Sequence, residues 1–305
     1  MQLIDWEKIY ELATTKSKEE FIDATKNLAS LEEPVPIQRF IKYMEQYQKK
    51  ALPSLLHNSK ATLTPEKFVN IVINQVKKDS KLLNAFIANP SSMFASILFG
   101  AEIGLVPSDE IGELFLIPRN LKQDNGKYLS TVTPLIGYKG LVKVIMRSGD
   151  YEKIEAHIVY KCDKFKVSLG TNPKLDHTPK YEGERTADNI THAYAVLTLK
   201  SGKTQFAVMT RNEIIAVRDK AKSPNDLYFN DVKNPNRWME KKCALVQLSK
   251  TLDKDFYGAK AIEMDGIIEG GAVLTLDSNN QVKVVEGTPV KPTRFRNIYS
   301  TLNSL

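Results

Sequence analysis

The chain has 305 residues, 42% of them hydrophobic and 26% charged, enough apolar material for one large domain or two modest ones and too much for a disordered chain. Its 43 Lys and Arg against 36 Asp and Glu give a formal charge of +7 and a pI near 9.1, a balance that favours polyanionic partners. Cys162 and Cys243 stand far apart and outside any metal-ligand spacing, which excludes a disulfide framework, and no run approaches the ~18 apolar residues of a membrane span, so a cytosolic protein is expected.

Residues 6–31 are charged and helical in tendency and stop at Glu33-Pro34-Val35-Pro36, where two prolines forbid continuation. A helix over residues 37–51 carries Phe40, Ile41, Met44 and Tyr47 on one face. Thr64-Pro65 reads as an N-cap with proline at the first helical position, leading into Phe68, Val69, Val72, Ile73 and Val76. Another helix follows Pro90 and ends at Gly104; its Ser92, Ala95, Ser96, Gly100 and Ala101 suit close packing on a neighbour.

The period then changes. Residues 113–117 and 129–132 read as two strands of a hairpin joined through Asn125-Gly126. From Ile117 to Asp150 the cations Arg119, Lys122, Lys127, Lys139, Lys143 and Arg147 face only Asp124 and Asp150, the most basic block so far. Within it, residues 133–150 break at Gly137 and become helical. Lys139, Lys143 and Arg147 fall at i, i+4 and i+8 on one stripe, with Leu141, Val144 and Ile145 opposite and Tyr138 at the entry. Cations one turn apart, ending in an aromatic, suit a nucleic-acid backbone and a stacked base; the same pattern also describes a solvated helix face over a core.

Further strands are expected around Ile158 to Val167, and the clearest β signal runs over residues 191–209, turning at Ser201-Gly202. Thr210 to Glu213 is a capping box that opens a helix ended by Pro224. A loop with Tyr228 and Phe229 leads to a last strong helix over residues 237–252, with Trp238, Leu245, Leu248 and Leu252 as its buried stripe. Beyond Asp255 the glycines 258, 266, 270, 271 and 287 and a weak helical period read as a mobile tail. There is no phosphate-binding GxxxxGK[ST] loop, and His57, His157, His177 and His192 sit alone, so ATP-driven chemistry and a histidine metal site are not expected. Glu240-Lys241-Lys242 matches part of a metal-dependent nuclease motif, but that motif needs a strand and an upstream acid, whereas these residues lie in a helical pattern.

The chain resembles the RecT family of ATP-independent single-strand annealing proteins of phages and prophages, distant relatives of the lambda Red beta protein. The resemblance runs from about Phe68 to Asp253: Gly104-Leu105 through Phe115-Leu116-Ile117-Pro118, then Ile136-Gly137-Tyr138-Lys139-Gly140, then Arg147-Ser148-Gly149, then residues 191–211 ending at Arg211, then Met239, Lys241, Lys242, Leu248, Lys250 and Leu252. It departs at Val246-Gln247, where relatives carry basic residues, and at Tyr228-Phe229-Asn230, which replaces a Pro-Trp pair.

The resemblance implies that Tyr138, Lys139, Arg147, Lys241, Lys242 and Lys250 lie at DNA-groove positions; Lys143 joins them by spacing, and Arg119, Arg211 and Arg237 complete the candidate DNA-binding set. The expected fold is α+β, antiparallel hairpins packed with helices. Residues 1–60 would form a helical extension, 61–255 the annealing domain, and 256–305 a flexible tail for a partner. The implied function is ATP-independent single-strand binding and annealing in the bacterial cytoplasm, by a homo-oligomer or filament on DNA, beside a partner exonuclease. No catalysis and no required cofactor are expected, an assisting or structural Mg²⁺ staying open. The alternatives are a nuclease using Glu240 and Lys242 with Mg²⁺, and a non-catalytic oligomeric coating or scaffold protein.

Overall fold

The computed structural model describes residues 36–59, 61, 63–122, 128–147, 149, 151–220 and 227–285. The helical stretch read over residues 6–31, the Asn125-Gly126 turn, Pro224 and the chain beyond residue 285 lie outside the described residues.

Among the described residues five helices come first: α1 (Pro36–Lys50), α2 (Leu52–Asn58), α3 (Pro65–Lys78), α4 (Ser80–Ala88) and α5 (Pro90–Glu102). The start signals hold locally. The Thr64 hydroxyl accepts from the Lys67 N–H at 3.3 Å, and Asp79 and Asn89 cap α4 and α5 in the same way. A hairpin follows, β1 (Leu114–Lys122) against β2 (Tyr128–Ile136), then α6 (Tyr138–Arg147). Next come β3 (Tyr151–Tyr160), the short hairpin β4 (Lys164–Ser168) with β5 (Lys174–Thr178), and the hairpin β6 (Ile190–Leu199) with β7 (Thr204–Thr210). Strands β3, β6 and β7 form one antiparallel sheet in that order. The described residues end in α7 (Arg211–Lys220), α8 (Trp238–Ser249), α9 (Phe256–Glu269) and a hairpin, β8 (Val273–Leu276) with β9 (Val282–Val285). The fold is α+β, as expected.

Helix α5 is the centre of the helical half, buried from Ser91 to Ala101. Its small residues allow close packing and also take over backbone hydrogen bonds. Ser92 Oγ accepts the Val132 N–H at 2.9 Å, Ser96 Oγ donates to the Val132 carbonyl at 3.1 Å, and Ser91 Oγ accepts the Leu276 N–H at 2.9 Å. The edges of β2 and β8 are thereby satisfied by a helix in place of a strand. Together α4 and α5 are apolar enough over their joint length to pass a membrane-span test, but they meet at 115° and α5 is covered by protein; no single described helix is long and apolar enough to cross a membrane.

Two domain expectations are corrected. Phe40, Met44, Leu52 and Leu56 are in the same hydrophobic core as α5, so residues 36–59 are an integral part of the main fold and not a separate extension. Residues 256–285, expected as a mobile tail, fold into the core. Asp255 accepts the Gly258 N–H at 2.6 Å as an N-cap, α9 buries Ala261, Met264, Asp265 and Ile268 against α6 and β2, and all four residues of β8 are buried beside α5. The signal was hidden because the core-facing positions of α9 include Gly258, Ala261 and Asp265, which carry no apolar period.

Candidate nucleic-acid interface

Helix α6 is positioned by two glycines at its start. The Gly137 N–H donates to the Glu113 carbonyl at 2.9 Å; a Cβ there would lie 2.3 Å from the Gly112 carbonyl oxygen, and one on Gly140 would lie 2.0 Å from that of Glu113. Only glycine permits this approach. Tyr138 stands between them, its hydroxyl bonded to the backbone of Ala156 and its pKa raised chiefly by burial.

Across from it, Trp238 opens α8. The two rings lie 4.9 Å apart at 41°, and the Lys241 ammonium sits 5.0 Å from the indole centroid. Burial lowers the Lys241 pKa, which Glu240 opposes. Trp238 is 40% exposed, which corrects its placement in the buried stripe. Lys139, the next residue of α6, is exposed. The loop before α8 is held rigid: Glu240 is buried and accepts from the Phe229 N–H at 2.5 Å and from Asn234 Nδ2 at 2.7 Å, while Asn234 Oδ1 accepts the Trp238 N–H at 2.7 Å. Phe229 and Arg237 both take positive φ, conformations that persist for non-glycine residues only where the surroundings fix them.

A separate ring cluster, centred on buried Tyr194, lies on the β3-β6-β7 sheet. His157 lies 5.2 Å from Tyr194, and Phe165 of β4 packs on Tyr194, His192 and His177. Burial lowers the pKa of His157, with Lys241 adding to the effect and Glu155 opposing it. Three of the four histidines, read from the sequence as isolated, therefore belong to one ring cluster. Tertiary folding alone brings them together, since they come from three strands.

The expected stripe of three free cations on α6 is corrected. Only Lys139 stays exposed; Lys143 is paired with both oxygens of Glu113 at 2.8 and 2.9 Å. Arg147 donates to the Ser59 and Ile103 carbonyls at 2.8 and 3.0 Å and lies 3.7 Å from Asp255, tying α2, α5 and α9 to α6. Arg119 is half-buried at the end of α9, donating to the Ile268 carbonyl at 3.4 Å; burial lowers its pKa, with Glu269 opposing. Arg211 donates to the Ala187 and Ile190 carbonyls at 2.7 and 3.2 Å and covers Phe229 at 4.3 Å. Arg237 is buried, bonded to Asp231 and to Tyr160; burial acts to lower its pKa, but these partners hold it above the usual value.

Lys242 is only 4% exposed and is clamped by Asp265 at 2.7 Å and Glu269 at 2.8 Å. Burial alone would strip its charge, yet the two carboxylates hold its pKa above the ordinary value, while burial raises that of Asp265 in spite of Lys242. Lys242 lines a cavity with Tyr228, Cys243, Gln247, Lys250, Asp265 and Glu269. Lys250 is exposed at the far end of α8, about 13 Å along the axis from Lys241. Thus the structure brings Tyr138 and Lys241 together around Trp238, leaves Lys139 and Lys250 exposed and Arg119 apart, and uses Arg147, Arg237 and Lys242 as internal ties. Tyr228, in the loop before α8, is buried with its hydroxyl toward the Cys243 thiol. Among the described residues no group of three or more His, Cys, Asp or Glu is placed to hold a metal ion.

The sequence model of the RecT family matches residues 66–271. Protein RecT of Escherichia coli (strain K12) is similar over 206 residues at 33% identity, covering 67% of this chain and 72% of that protein. The matched span runs from α3 through α9, so it takes in residues 256–271 of the segment expected as a tail.

Proposed function

The chain belongs to the RecT family, and from that premise we propose that it binds single-stranded DNA without ATP and anneals complementary strands in phage-type recombination. The observation that carries the reading is the half-exposed Tyr138–Trp238 ring pair with Lys241 over the indole, on a helix that also exposes Lys139. Every base offers a π-face, so a ring pair under a cation takes a single strand without regard to sequence, and lysines that neutralise phosphates release counterions. Bases held unpaired on such a surface are open to a second strand.

No bond is made or broken in this scheme, and neither nucleotide nor metal is required. Several copies, as an oligomer or filament, would line one strand and then hold the annealed duplex, with an exonuclease supplying the strand inside the bacterial host. The nuclease reading loses its best residue, because both carboxylate oxygens of Glu240 are engaged by the loop before α8.

The test is annealing of two complementary oligonucleotides by the purified protein in EDTA without ATP. The rate should exceed that of the strands alone and fall as salt rises, and Trp238→Ala should abolish most of the gain. A protein that binds single strands tightly yet gives no acceleration at any protein-to-nucleotide ratio would show a coating protein instead.

A further inference from the structure

A second assembly of rings and a cation lies outside the residues that the family resemblance pointed to. The Arg185 guanidinium sits 4.2 Å from the ring centroid of buried Tyr160 and 5.3 Å from that of Tyr181. We propose that Tyr181, laid over Arg185, is a second base-stacking platform for single-stranded nucleic acid, separate from the Tyr138–Trp238 pair; the proposal rests on the single-strand reading above.

The support beneath Tyr181 is fixed. Arg185 Nη1 donates to Asp163 at 2.6 Å, and the fully enclosed Asp163 carboxylate also accepts the Tyr160 N–H at 2.9 Å, the Lys180 N–H at 2.8 Å and a bond from His177 Nε2 at 3.1 Å. An acid bound from so many sides cannot let the guanidinium swing. Burial alone would raise the Asp163 pKa, yet these donors hold it down to about 2, so the anion persists at neutral pH. Tyr181 therefore has one face on a held cation while the residue is 77% exposed. A ring fixed from behind and open in front loses little freedom when a base stacks on it.

Its surroundings suit a polyanion. Lys161, Lys164, Lys166, Lys174 and Lys180 are exposed on the adjoining β4-β5 hairpin and its flanks, against the exposed carboxylates Asp176, Glu182 and Glu184. The support beneath Tyr181 is also tied to the residue that caps α8. Tyr160, under Arg185, bonds the side chain of Arg237, and Arg237 directly precedes Trp238 in the chain.

Binding of the full chain to a fluorescein-labelled oligo-dT and to an abasic oligonucleotide of equal length tests this. Tyr181→Leu should weaken oligo-dT binding by roughly 5- to 150-fold and leave abasic binding and the salt slope unchanged, while Tyr181→Phe should bind like the parent. Arg185→Lys keeps the charge but removes the planar support, and should lose part of the oligo-dT affinity only. Equal affinity of Tyr181→Leu and parent for oligo-dT, or an equal loss on both oligonucleotides, overturns the platform; so does a change confined to self-association. If Trp238→Ala weakens oligo-dT binding while Tyr181→Leu does not, the platform fails alone. A parent protein that binds neither oligonucleotide sinks the platform and the single-strand reading together.

Discussion

Lys242 and Lys241 are neighbours in the chain and opposites in the fold. Lys242 Nζ is shut in by Asp265 and Glu269, whereas Lys241 Nζ reaches the face of Trp238. Removing one member of a buried pair leaves the other charge uncompensated, so Lys242→Ala should lose about 3–5 kcal/mol of stability in denaturant unfolding. The fraction still folded should bind single strands as before. Lys241→Ala should do the reverse, with little change in stability and a single-strand affinity several-fold lower in a fluorescence titration. Asp163 carries a pH dependence. Its pKa in the fold is about 2, below the ordinary carboxylate value near 4, so the stability it contributes is present above pH ~4 and lost as pH falls toward 2. Asp163→Asn should flatten that part of the acid-unfolding curve while lowering stability at neutral pH.

Among the elements, α9 and α6 depend on one another. Asp265 of α9 accepts the Ile136 N–H at 3.3 Å, just before α6 begins, and Asp255 faces Arg147 at the end of α6. Cutting the chain after Asp255 removes α9, β8 and β9, orphans Lys242 and strips the cover from α5. The truncated protein should lack a cooperative unfolding transition, which calorimetry would show. A folded, stable truncation would mean that α9 is dispensable. At the other end of α6, Gly140→Ala places a methyl against the Glu113 carbonyl. The helix would have to shift, so stability should fall by about 1–3 kcal/mol and Tyr138 should lose register with Trp238.

For the whole molecule, the charge excess becomes a salt dependence. If Lys139, Lys241 and Lys250 each meet a phosphate, replacing all three by Ala should reduce the slope of log K against log salt by roughly 0.7 per contact. Measured binding at four or five salt concentrations checks this, and an unchanged slope in a folded variant would assign these lysines to solvent. The wider expectation is a rate of annealing that rises steeply with protein up to coverage of one strand, then levels when both strands are separately coated.

What the sequence by itself determined is what neighbouring residues settle among themselves. Thr64-Pro65 and the reciprocal Thr210–Glu213 box start helices in the structure as their spacing predicts, Ser201-Gly202 turns β6 into β7, and Leu141, Val144 and Ile145 are buried as their period requires. Caps, turns and apolar period act within a few residues, so they are legible in one dimension. The fate of each cation was not. Lys143, Arg147, Arg237 and Lys242 look alike in sequence to Lys139, Lys241 and Lys250, and only the arrival of Glu113, Asp255, Asp231 and Asp265 from elsewhere in the chain separates internal ties from surface charge. Likewise Trp238 reads as core because Leu245 and Leu248 follow at helical spacing, and α9 reads as tail because small and polar residues face inward. The tertiary structure decided these, because a charge or a ring is placed by the partner that packs against it, and that partner can lie a hundred or more residues away.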